Sequence, residues 1–110
     1  MIILGLIFAA VSSSCSVTQV VVCQVTGTSP VTYSNIVVTI AGSSQSYYAP
    51  LSWTKRFDVT LHGTVSLAAD TGSATSGSVT VTITVNGAVL GTSTATANGS
   101  PATASVSATF

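Results

Sequence analysis

Between Ser78 and Val85 the chain alternates without a break, setting Val79, Val81, Ile83 and Val85 against Thr80, Thr82 and Thr84. A period of two sends successive side chains to opposite faces of an extended backbone, so this run predicts a strand with one buried face. Asn86-Gly87 follows it. A two-residue hairpin turn needs positive φ at both central positions, which Asn and Gly adopt most readily, so Ala88 to Ala97 is predicted as the returning strand. After Asn98-Gly99-Ser100-Pro101 the alternation resumes with Ala102, Ala104, Val106, Ala108 and Phe110 inward.

The same period runs upstream. Leu51 to Leu61 places Leu51, Trp53, Phe57, Val59 and Leu61 on one face, with Lys55 breaking the row, either near a strand end or snorkelling. Thr64 to Ala69 is a short strand closed by a loop from Asp70 to Gly77, and Val17–Thr26 and Val31–Ala41 are two more, separated by Gly27-Thr28-Ser29-Pro30. About seven short strands at intervals of roughly 8–12 residues, with no helical period after residue 11, predict an all-β fold. The expected architecture is an antiparallel immunoglobulin-like β-sandwich over residues 16–110, preceded by an apolar N-terminal segment, residues 1–15.

Composition narrows the function. Lys55, Arg56, Asp58 and Asp70 are the only charged side chains, 4% of 110 residues, and the net charge is zero. Ordinary soluble domains carry about 25%. Such a chain cannot neutralise a row of phosphates, which excludes nucleic acid as a partner, and it has no basic face for an anionic membrane. Its polarity comes from 36 Ser and Thr residues. Hydroxyls keep a surface wettable but provide no repulsion between copies, so the domain is expected to associate.

Candidate chemistry is sparse. His62, Asp58, Asp70 and the serines invite a Ser-His-Asp reading, but the Gly-x-Ser-x-Gly presentation of a nucleophile is absent. Asp58 more simply pairs with Arg56 or Lys55. One His, two Asp, no Glu and two distant Cys fall short of a metal-ligand set, and no glycine-rich loop could cradle a phosphate. The expectation is a non-enzyme with no cofactor. Cys15 and Cys23 would stand roughly 26 Å apart on one extended strand at ~3.3 Å per residue, too far for a mutual disulfide. They are buried or capped thiols, or candidates for intermolecular pairing or lipidation. Tyr47-Tyr48, near Trp53, is a candidate partner patch; otherwise Trp53 is a buried core anchor and the tyrosines close one end. Asn98-Gly99-Ser100 is a glycosylation sequon.

Val25-Thr26-Gly27, Val31 to Asn35, Pro50-Leu51-Ser52-Trp53-Thr54-Lys55-Arg56-Phe57, Val65 to Ala69 and Val79 to Gly87 together resemble the extracytoplasmic domain of the mycobacterial small membrane protein (MmpS) family and similar small secreted bacterial β-sandwiches. The likeness covers roughly residues 20–108 and is most specific at Leu51–Lys55. It implies a non-enzymatic sandwich outside the cytoplasm, with some members serving as accessories to lipid or siderophore exporters. Those members carry an N-terminal transmembrane helix.

Here the first eleven residues, Met1 to Val11, are apolar and uncharged. As a helix they would rise about 17 Å, short of the ~30 Å hydrocarbon core of a bilayer. Their length suits the apolar part of an export signal, and Ser12-Ser13-Ser14-Cys15 faintly resembles a lipoprotein cleavage site, though no Lys or Arg precedes it. As a strand they would reach ~36 Å. Ile2, Leu4, Leu6 and Phe8 with Ile3 and Ile7 make that strand apolar on both faces, suited to insertion into a neighbour's sheet as a donated strand. The resulting expectation is an extracellular or cell-surface structural subunit that polymerises with copies of itself. The alternative is a secreted or lipid-anchored accessory or binding protein whose first residues are its signal.

Overall fold

A computed structural model describes residues 18–60 and 62–110 of the chain. All the secondary structure of these residues is extended: eight strands, β1 (Gln19–Gly27), β2 (Tyr33–Ile40), β3 (Ser43–Pro50), β4 (Trp53–Val59), β5 (Thr64–Asp70), β6 (Ser78–Val85), β7 (Ala88–Thr96) and β8 (Thr103–Thr109). They form two four-stranded antiparallel sheets, ordered β4-β1-β6-β7 and β3-β2-β5-β8. The all-β antiparallel expectation is met.

Alternation creates the core. Val21, Cys23 and Val25 of β1 and Val79, Val81, Ile83 and Val85 of β6 point inward from one sheet, and Ile36, Val38, Val65, Leu67, Ala69 and Ala104 from the other. A one-residue slip in any of these strands would turn its whole row toward water, so burial itself sets the register. Asn86 and Gly87 adopt the predicted left-handed pair, φ 51° and 85°. Asn86 also ties its turn to the start of β1: its Oδ1 accepts from the Val20 amide at 2.9 Å, and its side-chain amide donates to Gln19.

The sandwich is closed along one side. There β7 and β8 pack against each other across the sheets, and Gly91 makes room, since a Cβ at that position would lie 2.6 Å from Val106 Cγ2.

Three expectations need correction. The described residues form eight strands where about seven were expected, because Ser43–Pro50 is itself a strand. It returns from β2 through Ala41-Gly42, a turn with φ 51° and 84° and no Asn to announce it. The strand expected from Leu51 begins at Trp53; Leu51 instead donates its amide to Thr32 O and packs beside Gly27. Trp53 is half-buried and not the enclosed anchor, because β4 is an edge strand and one flank of the indole stays open.

Candidate functional site

The side of the sandwich opposite β7 and β8 is where β3 and β4 end the two sheets. Among the described residues, aromatic contacts join these edges at one end. Tyr47, on the inner face of β3, meets Trp53 of β4 with ring centroids 5.2 Å apart and a 44° tilt. One inward position further along β4, Lys55 lays its ammonium 6.0 Å from the Tyr47 ring centre and 5.7 Å from that of Phe57. The aliphatic stem covers apolar surface while the charge stays at the rim, the snorkelling expected of a lysine in this row.

Beyond Lys55 the seam opens into a cleft of about 520 Å³. Val38 and Ile40 of β2 and Phe57 and Val59 of β4 supply its apolar lining, and Ser43 and Gln45 of β3 supply a polar lip. Arg56 and Asp58 flank it and pair with each other at 3.0 Å on the surface, so the rim carries no unbalanced charge between them. Among the described residues both bordering strands are sheet edges, whose outer N–H and C=O groups have no ladder partner and can accept another strand. The cleft runs toward the end of β4 where Val59 lies opposite Gln19, the first residue of β1. Gln19 therefore stands beside the mouth of the cleft.

The other candidate residues fall elsewhere. Ile2, Ile3, Leu4, Leu6, Ile7, Phe8 and Cys15 lie outside the described residues. Cys23 is a free, fully enclosed core residue on β1. Desolvation pushes its thiol from 9.0 up to about 11, so the folded domain holds it protonated at neutral pH. Tyr47 and Tyr48 do not form one patch. Adjacent residues of a strand face opposite ways, so Tyr47 enters the seam while Tyr48 stands on the outer face, 68% exposed and stacked on Tyr33. Asn98 is exposed in the turn before β8, accessible to modification.

His62 is exposed next to Gly63. Asp70 is held by structure: its carboxylate accepts from the Asn35 amide (3.0 Å), the Asn35 side chain (3.0 Å) and the Gly72 amide (2.9 Å). Partial burial opposes its ionisation, but these donors outweigh the burial and hold its pKa below the ordinary aspartate value. Among the described residues no group of three His, Cys, Asp or Glu is placed to hold a metal ion. The periodicity did not reveal the cleft, because Val38, Ile40, Phe57 and Val59 read as ordinary core positions until the strand order puts two of their strands at edges. No family model matches the chain, and no curated protein matches it.

Proposed function

We propose that this chain is a non-enzymatic, extracellular structural subunit, an immunoglobulin-like sandwich that polymerises when the apolar segment Ile2–Phe8 of one copy enters the β3–β4 seam of the next. The observation that carries this reading is the half-open seam: an apolar cleft of about 520 Å³ bordered by two strands that are sheet edges among the described residues. An inserted strand there would gain main-chain hydrogen bonds along an edge and bury alternate side chains against Phe57, Val59 and Ile40. The segment is apolar on both faces, as such an insert must be. A contact of this kind joins two different surfaces, so it propagates head to tail into a filament unless the ring closes.

The test is electron microscopy and sedimentation of the full chain, of a variant lacking residues 1–11, and of Val59→Arg. Filaments or large oligomers from the full chain, lost in both variants with melting temperatures retained, are the expected result. Unchanged assembly by the truncated protein would rule out the donated strand. Dispersed monomers of the full chain would leave the other reading, a secreted or lipid-anchored accessory or binding protein.

A further inference from the structure

At the end of the sandwich away from the seam mouth, the outer face of the β3-β2-β5-β8 sheet carries an unexplained feature. Tyr33 of β2 and Tyr48 of β3 stack with centroids 5.3 Å apart and planes 20° from parallel, yet they are 46% and 68% exposed. The pair is diagonal across the hairpin, since Tyr33 lies opposite Pro50 and Tyr48 opposite Asn35. The two rings stack in solvent, covering each other's facing sides and leaving their outer faces and phenolic edges open as a small aromatic platform.

A cleft of about 330 Å³ adjoins the rings. Thr32, Ser73, Thr75 and Ser76 bring exposed hydroxyls to it, and no charged side chain lines it. Its far wall is the loop after β5, and that loop is fixed. Asp70 binds the Gly72 amide on one side and Asn35 on the other. The buried Thr71 hydroxyl donates to Ala74 O and accepts from the Ala102 amide. Gly72, at φ 65°, sits so close to Tyr33 that a Cβ would lie 3.0 Å from its carbonyl oxygen. A wall already ordered loses little entropy when a ligand docks.

We infer that this platform and cleft bind a neutral carbohydrate chain. The absence of charge in the cleft gives an anionic or cationic ligand no counter-ion. Hydroxyls that both donate and accept match the hydroxyls of a polyol. Tyrosine rings offer apolar faces to the C–H face of a pyranose while their phenolic groups reach its edge. The site is independent of the seam and of assembly; a polymer of this subunit would repeat the platform and gain avidity from it.

The experiment is retention of the intact chain on insoluble cellulose and chitin, and its retardation in gels containing xylan or mannan. Tyr33→Ala, Tyr48→Ala, Tyr48→Phe and the seam variant Val59→Arg run beside it, with melting temperatures as the folding control. Binding to at least one polymer is expected, weakened roughly 10-fold or more by either alanine variant. Tyr48→Phe should keep most of it, and Val59→Arg should keep the binding of the single subunit and lose only the avidity of a polymer. No binding to any of the four polymers overturns the inference, as does binding indifferent to both alanine variants. Capture of a proline-rich peptide in place of sugar, abolished by the same alanine variants, would also overturn it and make the platform a peptide site.

Discussion

A thiol enclosed in the middle of β1 behaves as a small hydrophobe, and its protonation makes stability depend on alkali. Between 9.0 and about 11 the unfolded chain gives up the Cys23 proton while the folded chain keeps it. The stabilisation is therefore complete below pH 9 and is lost as pH rises toward 11. Cys23→Val keeps a similar shape without the proton, so urea midpoints between pH 8 and 11 should fall less steeply for the variant. An equal fall in both proteins would assign the alkaline loss to other groups. Asp70 acts in the opposite sense. Its lowered pKa contributes stability above the ordinary aspartate value that disappears as pH drops through the folded value. Asp70→Ala removes three accepted hydrogen bonds around Asn35 and Gly72 and should cost about 1–3 kcal/mol at pH 7. Its stability should then depend less on pH below 4.

Among the elements, legibility follows how much of each strand is buried. β6 lies between two strands and buries every second residue, so its alternation and its Asn86-Gly87 turn are plain in the sequence. β3 is an edge strand on which only Ala49 is buried and Tyr47 partly so, and a row of serines carries no period. Its turn is also atypical, because Ala41 occupies the left-handed region at φ 51°. Alanine there pays about 1–2 kcal/mol in steric conflict that Asn or Gly avoids in part. Ala41→Asn should raise stability by roughly 0.5–1 kcal/mol, read as a melting temperature several degrees higher. At the closed edge the constraint is reversed. Gly91→Ala forces a Cβ against Val106 and should cost about 1–3 kcal/mol. The abundant hydroxyls also have an element-scale explanation. Thr80 pairs with Thr94 (2.8 Å), Thr82 with Thr92 (3.2 Å), Ser66 with Ser107 (3.1 Å) and Thr39 with Ser44 (2.8 Å), so outer faces without charge are held by cross-strand hydrogen bonds.

For the whole molecule, the period of two predicts strands but not their neighbours, and the candidate sites are consequences of neighbours. The seam exists because β3 and β4 are the edges on one side; the platform exists because a hairpin brings Tyr33 beside Tyr48. Charge, in contrast, is legible at once and governs how copies meet. Only four side chains of 110 are charged, three of them within residues 55–58, and Arg56 and Asp58 neutralise each other. If assembly proceeds through the seam, its driving force is apolar burial and main-chain hydrogen bonding, neither of which salt screens. Raising NaCl from 20 mM to 0.5 M shortens the screening length several-fold, yet the critical concentration should stay within about twofold. Ammonium sulfate, excluded from the protein surface, should lower it. Sedimentation across both salt series measures this directly. Filaments that dissolve in 0.5 M NaCl would be held by ion pairs, which the uncharged side chains of Met1–Val11 cannot provide in the seam, and their contact would have to be sought on another face.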